Sequence, residues 1–156
     1  MSHEIRRGNG LVPVQYHQFI ISDDAGPTGP DLPPQHNGLV QVTDGVTVVH
    51  TGIHTGDVDV TVTLHDTEPP PDTGDWQEIV EIPAHSPSGD LMVRGLMDDL
   101  DEELPVLSSS GPGEYRLRIH ARGRDTTVDL APDEITEWYL IQAWSAPAAP
   151  ARTGQQ

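Results

Sequence analysis

The sequence predicts an all-β protein, a single-domain antiparallel β-sandwich with a flexible C-terminal tail. Apolar and polar residues alternate with a period of two in several stretches, most clearly in residues 57–65. Gly and Pro contribute 15 residues each, so turn signals recur throughout the chain. No stretch carries a helical period over three turns. Short strands separated by frequent turns are typical of a sandwich.

The length of 156 residues fits one domain. We expect a flexible N-terminus over residues 1–10 and the sandwich over residues 11–145. Residues 146–156 are rich in Ala, Pro, Gly and Gln and offer little with which to pack. They are therefore predicted to form a disordered tail.

The first predicted elements occupy the N-terminal third. Residues 12–21 are apolar on both sides of an extended segment, which predicts one strand covered on two faces. Residues 23–38 are rich in proline and are predicted to form a loop. Residues 40–42 and 46–49 flank a Thr-Asp-Gly turn sequence, which predicts a β-hairpin because Asp-Gly tolerates positive φ.

The later elements continue the strand pattern. In residues 57–65 the predicted inward side chains are Val58, Val60, Val62 and Leu64. Further strands are predicted over residues 76–82, 91–96, 115–122 and 136–143. In the third of these the inward residues are Tyr115, Leu117, Ile119 and Ala121, and the outward residues are Arg116, Arg118, His120 and Arg122. His120 is expected to be exposed among these arginines.

Charge limits the classes of partner. Asp and Glu number 25 against eight basic residues, all arginine, and the formal net charge is -17. Such a chain repels phosphate backbones and anionic membranes and attracts basic proteins. We therefore expect no direct nucleic-acid or membrane binding. The arginines of residues 115–122 are predicted to pair across strands with carboxylates such as Asp57, Asp59 or Glu78.

Several function classes lack support in the sequence. Cysteine is absent, which excludes disulfides and thiolate chemistry. No nucleophile elbow, phosphate-binding loop or dinucleotide fingerprint occurs, so no enzymatic activity and no cofactor are predicted. His17 is expected to be a hydrogen-bonded structural histidine. Without a signal peptide or an apolar run near the ~20 residues of a membrane span, the expected location is the cytoplasm.

A histidine-rich region is the candidate metal site. It contains His50, His54, Asp57, Asp59 and His65, whose imidazole and carboxylate groups suit zinc or other divalent ions. Asp57, Asp59 and His65 share one strand face, but residues 57 and 65 are ~26 Å apart at ~3.3 Å per residue, so one ion reaches at most two of these three groups. His50 and His54 are the metal candidates, and a solvated turn is the favoured interpretation.

The densest acidic run is the candidate partner-binding surface. Its carboxylates are Asp98, Asp99, Asp101, Glu102 and Glu103. Oxygen ligands suit calcium, but the run lacks the glycine and the ligand spacing of an EF-hand loop. An exposed loop or a single helical turn that contacts a basic partner is favoured.

Three segments carry a family resemblance. They read Tyr16-His17-Gln18-Phe19, Gly113-Glu114-Tyr115-Arg116-Leu117 and Trp138-Tyr139-Leu140-Ile141-Gln142-Ala143. In order and placement the chain resembles the competence protein J family of bacteria, inhibitors of a DNA-entry nuclease. It departs by its proline-rich segment after the first strand, its more acidic middle and its C-terminal tail.

The resemblance implies a shared fold and an inhibitor that covers the cationic cleft of a nuclease. Together with the charge, it favours a non-catalytic acidic protein-binding module of the inhibitor or immunity type, with a basic protein such as a nuclease as its partner. A small-ligand or divalent-metal-binding β-domain is the alternative, and a structural or scaffold protein is a third class. No oligomeric state is predicted.

Overall fold

The structure is a computed structural model. It describes residues 4–14, 17–23, 35–36, 40–43, 46–70, 74, 76–86, 88–94, 104–108, 111–126, 130–132, 134–145 and 152–154. All regular elements in these ranges are β-strands. Within them there is no helix with the length and apolar character needed to cross a bilayer.

The strands form two sheets. In chain order they are β1 (Glu4–Val14), β2 (Gln18–Asp23), β3 (Gln35–His36), β4 (Val40–Thr43), β5 (Val46–His50), β6 (Gly56–His65), β7 (Glu78–Ser86), β8 (Leu91–Arg94), β9 (Gly113–Arg122), β10 (Trp138–Ser145) and β11 (Arg152–Gly154). The large sheet has the order β1-β6-β10-β9-β7-β11, and the small sheet has the order β3-β4-β5-β2-β8.

The all-β, sandwich-like prediction is confirmed, with one departure from antiparallel pairing. Neighbouring strands run antiparallel except β6 and β10, which are parallel. β10 is inserted between β6 and β9 and is antiparallel to β9, its neighbour in sequence. The predicted hairpin is also present, since Thr43 pairs with Val46 across the β4–β5 turn.

The core lies between the two sheets. The residues predicted to point inward on β6 and β9 are all buried there. From the small sheet Phe19 meets Tyr139 of the large sheet, with ring centroids 5.2 Å apart in a T-shaped arrangement. Full burial of an aliphatic or aromatic side chain contributes about 1.5–3 kcal/mol, so this contact layer is the main stabilising term.

The prediction of one strand over residues 12–21 was wrong. β1 ends at Val14 in the large sheet, and β2 begins at Gln18 in the small sheet. His17, with φ of 65°, lies at the break. The buried positions change from even numbers (Val12, Val14) to odd numbers (Phe19, Ile21) across this turn. Both sides of the segment are apolar because its two halves face the same core from different sheets.

The chain ends also differ from expectation. The predicted flexible N-terminus contains most of β1, which pairs with β6 from Glu4↔His65 to Val14↔Gly56. Backbone pairing requires no apolar pattern, so the sequence of these residues did not indicate it. Within the predicted tail, Arg152–Gly154 pairs with β7. Residues 146–151 and 155–156 lie outside the described residues.

Other strand boundaries shift by a few residues. β7 covers Glu78–Ser86 where residues 76–82 were predicted, and β10 covers Trp138–Ser145 where residues 136–143 were predicted. β8 covers Leu91–Arg94, and residues 95–96 of its predicted range lie outside the described residues. Most of the predicted proline-rich loop is outside them too.

Gly123 permits a close approach that shapes the end of β9. Its φ is +86°, and an added Cβ would lie 2.1 Å from the Thr136 carbonyl oxygen. Gly111 has φ of +87° with nothing within 4 Å of the added Cβ.

We expect Gly111→Ala to lower the free energy of unfolding by about 1–2 kcal/mol from the left-handed backbone alone. Gly123→Ala should lower the free energy of unfolding by about 2 kcal/mol more, because backbone atoms must also move. Urea unfolding measures both, and equal losses would contradict the close approach.

Candidate functional site

The side of β9 that carries Arg116, Arg118 and His120 is buried, although the sequence predicted that these residues point outward. Arg116 is 4 % exposed, Arg118 is 5 % exposed and His120 is 0 % exposed. The expectation that His120 is exposed was therefore wrong. Its Nδ1 is hydrogen-bonded to the Leu140 carbonyl at 3.1 Å, and its ring lies 5.5 Å from that of Trp76. This side of the large sheet is covered.

Glu81 forms ion pairs with two of these arginines. Its Oε2 accepts from Arg116 Nε at 3.0 Å, and its Oε1 accepts from Arg118 Nη2 at 2.9 Å. Cross-strand pairing with carboxylates is confirmed, but neither Asp57 nor Asp59 is the partner. Those residues belong to β6, which β10 separates from β9, whereas Glu81 lies on the adjacent β7.

A proline-containing segment covers the paired charges. Arg118 Nη1 donates to the Pro69 carbonyl at 2.6 Å and to Gln142 Oε1 at 2.9 Å. Gln142 Nε2 donates in turn to the Pro70 carbonyl at 3.1 Å. Arg118 also bonds Glu68 at 3.2 Å and lies 5.0 Å from the Trp144 ring centroid. These arginines are fully engaged within the protein and offer no surface to phosphate.

Arg122 is held differently, in a set that we call the tryptophan stack (Trp76, Arg122 and Trp138). Its guanidinium carbon lies 5.4 Å from the Trp76 ring centroid and 4.9 Å from that of Trp138. All three side chains are partly exposed. No carboxylate in the described part of the chain forms an ion pair with Arg122. The stack is an aromatic and cationic patch at the end of β9.

A cleft of about 480 Å³ lies next to the stack. Its lining residues are His17, Thr51, Gly52, Gln77, Glu78, Arg124 and Asp125. They come from the β1–β2 turn, the loop after β5, the start of β7 and the loop after β9. Glu78 and Arg124, which both line the cleft, form an ion pair at 2.5 Å. The sequence predicted Glu78 as a partner of the arginines on β9, but its partner Arg124 lies in the loop after β9.

Backbone hydrogen bonds fix one wall of the cleft. His17 N donates to the His54 carbonyl at 3.1 Å, and Thr51 N donates to the His17 carbonyl at 2.8 Å. The two imidazole rings lie 5.1 Å apart, edge to face. The left-handed conformation of His17 allows both of its backbone groups to bond the same loop. The prediction of a structural histidine holds for its backbone, although it lies in a turn.

A buried carboxylate holds the loop after β5, which lines the cleft. Glu137 is 0 % exposed; its Oε1 accepts from Gly52 N at 3.0 Å and from the Tyr139 hydroxyl at 2.6 Å. Its Oε2 accepts from Ile53 N at 2.6 Å. Burial raises the pKa of Tyr139 far above its usual value, and the charge and hydrogen bond of Glu137 raise it further. Sequence reasoning missed Glu137, because one acid before an apolar strand belongs to no motif.

The five residues of the histidine-rich region do not form a site of three or more ligands in the described ranges. No group of three His, Cys, Asp or Glu side chains in the described ranges could hold an ion. His54 Nδ1 is hydrogen-bonded to Thr55 Oγ1 at 2.7 Å, and His65 Nε2 to Thr63 Oγ1 at 2.9 Å. Asp59 accepts from Asn9 at 2.9 Å. Metal binding by His50 and His54 remains a prediction from the sequence.

The predicted partner-binding carboxylates lie outside the described residues. They are Asp98, Asp99, Asp101, Glu102 and Glu103.

Comparison with solved structures identifies proteins of the same fold. ComJ from Bacillus subtilis, an inhibitor of the DNA-degrading activity of NucA, superposes with a TM-score of 0.56 at 16 % identity, over 94 % of this chain and 99 % of ComJ. The product of crocagin biosynthetic gene J gives a TM-score of 0.54 at 14 % identity, over 94 % and 99 % of the two chains. No family model and no curated protein matches. The predicted resemblance to competence protein J is confirmed as a weak likeness of fold.

Glu81 and Glu68 allow a buried carboxylate to be compared with an exposed one, since both bind Arg118. The Glu81 side chain is 6 % exposed and that of Glu68 is 54 % exposed. We expect Glu81→Gln to lower the free energy of unfolding by about 3 kcal/mol, because buried guanidinium charge loses its carboxylate. Glu68→Gln should cost less than about 1 kcal/mol. Similar losses in urea unfolding would contradict the central role of Glu81.

Tyr139 should impose an alkaline limit on stability. Its pKa is raised in the folded protein, so above pH ~10 the unfolded chain releases a proton that the folded chain retains. The free energy of unfolding should then fall by up to about 1.4 kcal/mol per pH unit. Tyr139→Phe should flatten this decline. The chain has no lysine to obscure it. Identical alkaline slopes for the two proteins would refute the assignment.

Proposed function

We propose that this protein is a non-catalytic, acidic protein-binding module that inhibits a basic nuclease by direct contact. The observation that carries the proposal is the net charge of -17 combined with the internal ion pairing of Arg116 and Arg118. The shared fold with ComJ, which inhibits a nuclease, supports the same role.

The surface charge favours a cationic partner. Exposed carboxylates in the described ranges are those of Asp57, Asp66, Glu68, Asp90, Asp125 and Glu134, of which Glu68 is bonded to Arg118. A nuclease must bind the phosphate backbone with basic groups, and an acidic protein competes for that surface. Complementary charge also steers encounter, with association rates toward 10⁸–10⁹ M⁻¹s⁻¹ at low salt.

The acidic run adds to this surface in our proposal. Asp98, Asp99, Asp101, Glu102 and Glu103 carry five negative charges within six residues. We expect them to contact basic side chains of the nuclease as a group, since carboxylates so close together strengthen the local potential more than dispersed ones.

Added to a lysate of its source cells, the purified protein should reduce degradation of linear DNA. The effect should saturate once the nuclease is bound, because inhibition by contact is stoichiometric. Degradation is measured by gel electrophoresis against increasing protein. Polyglutamate at the same total negative charge is the control and should inhibit far less. Unchanged degradation, or equal inhibition by polyglutamate, would overturn the proposed specific inhibitor.

A further inference from the structure

We infer that the cleft and the tryptophan stack form one contact surface, in which the cleft receives an arginine side chain of the protein partner. This inference rests on the proposed function, because the partner is taken to be a basic protein. It adds a defined anchor point to a general acidic surface. The volume of about 480 Å³ lies within the ~300–1,000 Å³ of ligand pockets and exceeds the needs of one side chain.

The cleft and the stack are adjacent along the chain. Trp76 directly precedes Gln77, and Arg122 lies two residues before Arg124. Gly123 N donates to Gln77 Oε1 at 2.8 Å, which joins the two segments between stack and cleft. Arg122 also pairs with Trp138 across β9 and β10. Residues of the stack are therefore immediate chain neighbours of residues that line the cleft.

The charges of the cleft favour a cation. Glu78 and Asp125 line it, and the Glu137 carboxylate lies beneath Gly52. The guanidinium of Arg124 lines it too but is already bonded to Glu78. Asp125 is exposed and forms no ion pair with the described residues. Two carboxylates and one guanidinium thus line the cleft, and the net charge of the whole protein also disfavours a phosphate.

The tryptophan stack favours arginine over lysine. A guanidinium is planar, more weakly hydrated than an ammonium group, and can bond a carboxylate while it stacks on an aromatic ring. Trp76 and Trp138 are partly exposed, and tryptophan and arginine are the residue types most enriched among interface hot spots. The cleft therefore offers carboxylates to the arginine, and the tryptophan rings that hold Arg122 belong to the neighbouring chain segments.

The walls are fixed before a partner arrives. Gly52 approaches Arg124 so closely that an added Cβ would lie 1.9 Å from the Arg124 carbonyl oxygen. Glu137 holds the amides of Gly52 and Ile53 from below. A preformed site loses less conformational entropy on binding, which favours its use as an anchor.

Titration of the ¹⁵N-labelled protein with N-acetyl-arginine amide tests the inference. We expect saturable NMR shifts of the backbone amides of Gly52, Gln77 and Asp125 and of the Trp76 and Trp138 indole N–H groups. The dissociation constant should be about 1–20 mM, as for a single side chain. N-acetyl-citrulline amide, which is neutral and nearly isosteric, and inorganic phosphate should leave these signals unchanged.

Asp125→Asn should weaken arginine binding at least about threefold, the effect of removing a surface ion pair. Asp90→Asn is the matched control, because Asp90 is exposed but lies beyond the far end of β7. Absence of saturable shifts, equal shifts with the citrulline probe, preferential phosphate binding, or equal effects of the two variants would overturn the inference.

The two proposals fail separately. If the protein inhibits DNA degradation but does not bind the arginine probe, the nuclease is contacted elsewhere and the cleft is not its anchor. If the probe binds but DNA degradation is unaffected, the cleft is an arginine site and the nuclease proposal is wrong. If both hold, Asp125→Asn should raise the concentration required for inhibition, whereas Asp90→Asn should not.

Discussion

The bridge from Glu81 to Arg116 and Arg118 is the interaction on which the outer side of the large sheet depends. Burying three charges is costly unless each is paired and hydrogen-bonded. Glu81 bonds both arginines, and the Pro69 carbonyl and Gln142 complete the shell of Arg118. Because this charge is neutralised internally, the segment before β7 can cover the sheet, and the acids elsewhere dominate the field around the protein.

A second buried carboxylate links the fold to the proposed contact surface. Glu137, at the entry to β10, binds the loop after β5 through the amides of Gly52 and Ile53. That loop is also bonded to the turn at His17, where the chain passes from the large sheet to the small sheet. The cleft thus lies where three connections meet, and polar contacts rather than apolar packing determine its shape.

The sequence predicted what depends on local periodicity. The inward faces of β6 and β9 follow directly from alternation, and the pairing of arginines with carboxylates follows from the net charge. Strand order depends on contacts between distant parts of the chain, which local alternation does not reveal. The predicted partners Asp57 and Asp59 therefore lie on a strand that does not neighbour β9, and Glu81 of β7 is the partner instead. The break at His17 was missed because apolar residues on both sides also fit one doubly covered strand. Glu137 was missed because a single acid carries no motif.

The central claim is that the negative charge left at the surface, with Arg116 and Arg118 paired inside, directs this protein to a basic nuclease. The most direct test is the association rate constant between the protein and the nuclease that co-purifies with it, measured by stopped-flow at increasing ionic strength. Electrostatic steering predicts a fall of about tenfold or more between low and high salt. A rate constant that does not change with ionic strength would contradict the claim.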